Sequence, residues 1–307
     1  MSDHCVHCRR AASLLAAVAV CGGCELTEIT LATAEDVLVA EVILRAGEDV
    51  QQALLHRTLR NGPPAFATVT VRDETTGGVL LYTSGAGSNC LITDSEQADV
   101  SHESCYFANG ARDFVQPGRT YSLRVVAEDR VLTAQSEVPG TFRLVRPAAQ
   151  LCRLQPQQPL QLVWTRASGA WVYVAEGHFT NLRQALRREG VNVTGDDPVE
   201  LTGLSVSGTD TTFIFPNDIG LFDRFDPDLH PIVLALQDGL PNGVFVDLAV
   251  GAGDRNYVNW ARGGGFNPSG QVRVPSIVGD GTGVFGALVP VKLRIQVDSA
   301  QGAPPCG

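Results

Sequence analysis

From position 37 onward the chain is written in short runs that bury well only in stacked sheets. V-L-V-A-E-V-I-L-R, A-T-V-T-V-R-D, G-V-L-L-Y-T, R-T-Y-S-L-R-V-V-A-E and R-V-L-T-A-Q-S-E-V are rich in β-branched and aromatic residues, several of them alternating with polar ones. N-G-P-P at 61–64, T-T-G-G at 75–78 and Q-P-G at 116–118 separate the runs with turn-forming residues. A strand with one apolar face needs a second sheet to cover it, so residues 37–147 are expected to form a β-sandwich of about seven strands.

A second set of strands opens near Cys152. P-L-Q-L-V-W-T at 159–165, a turn at Ser168-Gly169 and A-W-V-Y-V-A-E-G read as two successive strands. G-V-F-V-D-L-A-V-G-A-G-D at 243–254 reads as a later strand running into a loop, and V-P-V-K-L-R-I-Q-V at 289–297 as the closing strand. Between them one helix is expected, with Thr180 as N-cap, Leu182, Ala185, Leu186 and Glu189 at helical spacing, and Gly190 just past its end. Arg183, Arg187 and Arg188 would mark its solvated face. The expectation is an all-β chain of two tandem β-sandwich domains, 37–147 and 148–300, with one short helix inserted in the second and a tail over 301–307.

The N-terminus carries an address. Arg9 and Arg10 precede a largely apolar run of ten residues, Ala11 to Val20, too short to span a bilayer, which needs roughly 20. A short apolar run behind positive charge reads as an export signal. Gly22 and Gly23 lead into Cys24, and this junction resembles the lipobox of bacterial lipoproteins, whose cysteine is acylated and becomes the mature N-terminus. Cys21 stands where that family usually has an aliphatic residue; the other reading is an ordinary secretory signal cleaved nearby, with Cys24 left as a thiol. The resemblance implies a signal peptide over 1–23, a lipidated tether over 24–36 and anchoring in the bacterial cell envelope. Glu25 replaces the Asp that would retain such a protein in the inner membrane, which points to the outer membrane, facing periplasm or cell surface.

A-T-V-T-V-R-D-E-T-T-G-G resembles immunoglobulin- or transthyretin-like modules of bacterial surface proteins, and the Trp164 to Tyr173 region resembles the start of a fibronectin type III module, which implies Trp164 as the buried tryptophan of one strand and Tyr173 as its partner on the next. C-E-L-T-E-I, V-Q-P-G-R-T-Y-S-L-R-V-V-A-E-D, G-D-R-N-Y and G-T-G-V-F-G-A-L-V-P together are similar to a family of exported lipoproteins with β-sandwich domains. Some of these accompany TonB-dependent outer-membrane receptors. None of these phrases is catalytic, so the resemblance implies architecture and location only; an outer-membrane receptor or an envelope glycan is the expected partner.

Charge and cysteine content narrow the chemistry. Without residues 1–23, which carry two Arg and one Asp, the chain keeps 21 basic and 32 acidic residues, a net charge of −11 against −10 for the whole. No basic patch is left to attract phosphate, so nucleic acid is not an expected partner. Of eight cysteines, Cys5, Cys8 and Cys21 leave with the signal. With Cys24 taken by lipid, Cys90, Cys105, Cys152 and Cys306 remain as two disulfides in an exported chain. Cys90 with Cys105 would close a polar loop of about 15 residues, and Cys152 with Cys306 would join the ends of the second domain.

Gly281, Gly283 and Gly286 spell G-x-G-x-x-G, but a strand and not a helix follows, so no helix N-terminus is available for a pyrophosphate. The reading is a loop entering the last strand. Asp223, Asp226 and Asp228 fit a turn or a calcium cluster. His56, His102, His178 and His230 are scattered, and Ser205 lies in G-L-S-V-S, not in G-x-S-x-G. No metal or cofactor is expected. The remaining candidate is the long connection from Gly253 to Gly283, where Arg255, Tyr257, Trp260, Arg262 and Phe266 combine aromatic area with arginine donors, as interface hot spots do. Either these residues form a contact surface or the aromatics fold back to plug the sandwich. The functional expectation is a non-enzymatic accessory or binding lipoprotein; the alternative is a glycan-binding module or glycan-active enzyme using this loop with Asp254 and the acidic 218–230 segment.

Overall fold

The computed structural model describes residues 35–59, 67–85, 105–205, 207–220, 226–262, 274–298 and 303–307. Every described strand and helix belongs to one compact unit, Asp36–Gly307. Cys24, Cys90, His102, Asp223 and Phe266, and the side chain of Arg262, lie outside the described residues.

Strand β1 (Leu38–Arg45) pairs antiparallel with β2 (Gln51–Arg57), whose other edge carries β5 (Cys105–Ala108). Strand β4 (Val79–Ser84) passes between layers: Thr83 and Ser84 pair with β5, while Val79 to Tyr82 pair with β3 (Thr68–Asp73). Beyond β3 come β6 (Thr120–Ala127), β7 (Arg130–Glu137) and the two-residue β15 (Val278–Gly279). Alternation decides which face is inside. In β6, Tyr121, Leu123, Val125 and Ala127 are buried and the residues between them are not. The Tyr121 hydroxyl donates to the Phe114 carbonyl at 2.7 Å and accepts the Gln116 N–H at 2.8 Å, closing the turn before its own strand. The T-T-G-G turn is held from one side: buried Asp73 accepts the N–H groups of Thr75 and Thr76, the Thr76 hydroxyl and the Arg119 guanidinium. Burial alone would raise the Asp73 carboxyl, yet these four bonds hold it below its ordinary value.

The 17-residue β16 (Gly281–Val297) organises the rest. Gly281 to Leu288 run parallel to β1, and Leu288 to Gln296 run antiparallel to β14 (Phe245–Gly253). Its last residues run parallel to β9 (Leu151–Leu154). The sheet continues from β14 to β11 (Val172–Thr180) and β12 (Val199–Leu204). A three-stranded sheet of β13 (Thr212–Phe215), β10 (Leu160–Trp164) and β8 (Leu144–Arg146) covers its inner face. Trp164 and Tyr173 meet across the layers with ring centroids 5.2 Å apart, and Phe179 stacks on Phe215 at 6.0 Å.

The fold is therefore all-β and sandwich-like with short helices. A division into 37–147 and 148–300 cuts through one sheet, because β16 and β15 come after that boundary yet pair with β1 and β7 before it. One buried cluster runs from Leu38 through Tyr121 to Trp164 and Ile295, so a single core serves both halves. The C-terminal residues are not a loose tail: Cys306 is disulfide-bonded to Cys152, its N–H donates to the Arg153 carbonyl, and Pro305 bridges Arg153. Cys105 is also disulfide-bonded.

The described residues hold three helices where one was expected: α1 (Leu182–Arg188), α2 (His230–Ala235) and α3 (Arg255–Arg262), with a 3₁₀ turn at Leu236–Asp238. Thr180 does not cap α1, because it is still the last residue of β11. The cap position is Asn181, at φ 66°, and Asp197 supplies the acceptor from a distance, taking the N–H groups of Arg183 and Gln184 at 2.9 and 3.2 Å. Gly190, at φ 85°, ends the helix as the sequence suggests. The arginine face is a clamp and not merely solvated: Arg183 bonds the Thr194 carbonyl and Arg187 the Gly195 carbonyl at 2.7 Å.

Candidate functional site

Strand β14 ends at Gly253, and the next residue decides what the connection does. Asp254 is buried and accepts the N–H of Tyr257 at 2.8 Å and of Ala287 at 3.1 Å through Oδ1, and the Ser136 hydroxyl at 2.8 Å through Oδ2. The first bond caps α3; the others tie it to β16 and β7. Asn256 Nδ2 donates to the carbonyls of Gln135 and Phe285, both at 2.9 Å. Ser276 Oγ accepts the Phe285 N–H at 2.7 Å. These side chains satisfy the edge of β16 that β14 no longer covers, an edge that would otherwise be buried with unpaired polar groups. Burial pushes the Asp254 carboxyl above its ordinary value, and its hydrogen bonds from Tyr257, Ala287, Ser136 and Asn256 only partly reverse this.

The sequence-derived candidates separate at α3. Tyr257 is buried among Ile43, Val172, Val174, Val258, Val284 and Leu288, with half-buried Trp260 packed on the edge of that cluster. The two rings lie 5.8 Å apart. Burial, with Glu176 nearby, drives the Tyr257 hydroxyl well above its usual range. Beside it Arg45 reaches across β16 and β14 to Glu176, its Nη1 and Nη2 each donating at 2.7 Å in a bidentate pair. Burial opposes the charge on Arg45, but Glu176 outweighs it and keeps the guanidinium protonated. Plugging is thus the role of Tyr257 and Trp260: Trp260→Ala is expected to cost about 2 kcal/mol, roughly half the value for a fully buried ring, read as a shifted denaturant midpoint. An unchanged midpoint would remove Trp260 from the packing.

Arg255 faces the other way. It is exposed and its guanidinium lies 5.3 Å from the ring centroid of Trp171, itself 53% exposed. The backbone sets this meeting: the Trp171 N–H donates to the Gly253 carbonyl at 2.9 Å, two residues before Arg255. Gly208 packs against the backbone here; a Cβ there would lie 3.0 Å from Trp171 Cα and 2.1 Å from the Ala170 carbonyl oxygen. Around Gly208 runs a hydroxyl-bearing turn, Ser207 Oγ bonding Thr209 Oγ1 at 2.7 Å, with Asp210 taking the Ser207 N–H. Trp171 escapes a reading of the sequence because it sits two residues from Tyr173 and would share its inward face by strand periodicity. It stands just before β11 begins, where that periodicity does not yet apply.

Other motifs have structural work. Gly281, Gly283 and Gly286 lie inside β16 and not in a loop before it; Cβ atoms there would meet the Leu38 carbonyl at 2.2 Å, the Ala40 carbonyl at 1.9 Å and the Tyr257 nitrogen at 2.9 Å. Ser205 Oγ accepts the Tyr173 N–H and donates to the Ser207 carbonyl. Asp218 accepts the Ile214 N–H and Asp228 the Thr194 hydroxyl, while Asp254 points inward, so it is not available to face a cleft. Among the described residues no group of three or more His, Cys, Asp or Glu is placed to hold a metal.

No family model and no curated protein matches this chain. Solved structures similar to it include an I-band fragment from titin, at 9% identity and a TM-score of 0.19, with 86% of this chain and 66% of that chain covered. Another is the three N-terminal domains of the bacteriophage RB49 Highly Immunogenic Outer Capsid protein, at 9% identity and 0.18, with 85% and 99% covered.

Proposed function

We propose that this chain is an envelope lipoprotein, anchored through Cys24, that works by contact as a non-enzymatic accessory or binding protein, with a TonB-dependent outer-membrane receptor as candidate partner. The observation that carries the contact reading is the Trp171–Arg255 pair: a large aromatic left in solvent, pinned at its backbone and stacked by an arginine. Holding such a ring in place before binding lowers the ordering cost of association, and tryptophan with arginine is the composition of interface hot spots. The anchor reading rests on the basic, apolar and small-residue succession ending at Cys24. Two immunoglobulin-like or fibronectin type III-like modules are the finer architecture in this proposal, supported by the β12-β11-β14-β16-β9 order over β13-β10-β8 and by the Tyr121 corner. In that reading the first module borrows its last strands from the C-terminal part of the chain.

The test is fractionation and co-purification from native membranes. Cys24→Ala is expected to release the protein from membranes or to block its processing, and Trp171→Ala to stay anchored, melt like wild type and lose its partners. Wild-type fractionation of the first variant defeats the anchor; undiminished partner recovery with the second defeats the contact surface.

A further inference from the structure

Building on the contact surface proposed above, we infer that Trp171 and Arg255 form a subsite for an anionic pyranose, such as a uronic-acid unit of an acidic polysaccharide. Three observations converge on that chemistry. One face of the indole is taken by Arg255, and with half its surface in solvent the ring still offers an apolar plane. The C–H face of a pyranose is a flat apolar surface of matching size. The guanidinium itself has donors to spend: among the described residues Arg255 makes no ion pair, and its contact there is the ring, unlike Arg45, Arg57, Arg119 and Arg294, which each hold a carboxylate. Stacking on an aromatic fixes a guanidinium plane and leaves its edge for bidentate contact with a carboxylate.

The third observation is the turn packed on the backbone of Trp171. Ala170 and Gly208 are small, and the turn beside them presents the exposed Thr209 next to Ser207 and Asp210. An exposed hydroxyl on the turn that packs against the Trp171 backbone suits the alternating hydroxyls of a sugar. A protein interface core prefers to surround its tryptophan with apolar area and an occluding ring of contacts. The polymer must also approach an anchored chain of net charge −11, so attraction cannot come from overall charge and has to come from the local arginine.

The experiment is affinity electrophoresis of the detergent-solubilised full chain in gels containing polygalacturonate or dextran, with tryptophan fluorescence titration as a second readout. Polygalacturonate is expected to retard the wild type and dextran is not. Arg255→Gln should weaken retardation at least tenfold, Arg255→Lys should recover part of it, and Trp171→Ala should abolish it, all with unchanged melting temperature. Equal retardation by dextran, or an unaffected Trp171→Ala variant, overturns the subsite. If neither polymer binds while Trp171→Ala still loses its membrane partners, the glycan assignment falls and the contact surface stands. Loss of neither property on mutation removes both.

Discussion

Asp254→Ala is expected to destabilise the protein by about 4 kcal/mol and to lower its melting temperature by roughly 10 °C. The variant strands the N–H groups of Tyr257 and Ala287 and the Ser136 hydroxyl in a buried site, and each stranded donor costs about 1–3 kcal/mol. It also uncaps α3. Asp254→Asn tests the mechanism, because the amide oxygen can keep both N–H groups while its NH₂ donates to the Ser136 oxygen; that variant is expected to stay within about 1 kcal/mol of wild type. The pH dependence has a definite sign. Burial raises the folded-state pKa above 3.8, so the stabilisation tied to the protonated form is complete below that value and is lost as pH rises through the raised one. Wild type should therefore lose stability relative to Asp254→Asn on going from about pH 4 upward, measured by paired thermal melts. Parallel melting curves across that range would show that the carboxyl is not desolvated, and a wild-type melt for Asp254→Ala would remove the junction altogether.

Gly283→Ala is the second large effect, expected to cost about 4 kcal/mol or to prevent folding, as overpacking against immobile backbone does at its upper end. Its new Cβ would sit 1.9 Å from the Ala40 carbonyl oxygen and 2.8 Å from the carbonyl carbon, at a φ of +134° that side chains rarely adopt. Backbone atoms of a paired strand cannot step aside. Gly47→Ala is the control: its φ is +77° but nothing lies within 4 Å, so it should cost only about 1 kcal/mol. Equal chemical denaturation midpoints for the two variants would mean that β1 and β16 are not held this closely.

How far the sequence reaches can be judged element by element. The alternating runs around Val71, Tyr121 and Leu162 specify strands with one buried face, because a period of two leaves no other way to hide them. The meeting of Trp164 with Tyr173 is not written in that alternation; it follows from how the two sheets stack. Helix α3 is written in the sequence but masked by its context: Asp254 precedes Tyr257, Val258 and Ala261 at capping and helical spacing, while the glycines on either side read as loop. The start of β16 is a different case. Three glycines in its first six residues carry no side-chain pattern, and their extended course is imposed by close approach to β1 and α3.

By itself, then, the sequence determined the class of structure, since alternation and turn chemistry are local properties of neighbouring residues. It equally determined that Cys152 and Cys306 stand near the ends of the second strand set, though not that the C-terminal residues would dock on β9. Which strands share a sheet was decided only in three dimensions. Alternation states that a face must be covered and not by what, so β16 is free to serve β1 with one stretch and β14 with the next. The candidate site belongs to the same category. Arg255 and Trp171 are 84 residues apart in sequence, and only the pairing of Trp171 with Gly253 brings the guanidinium over the ring.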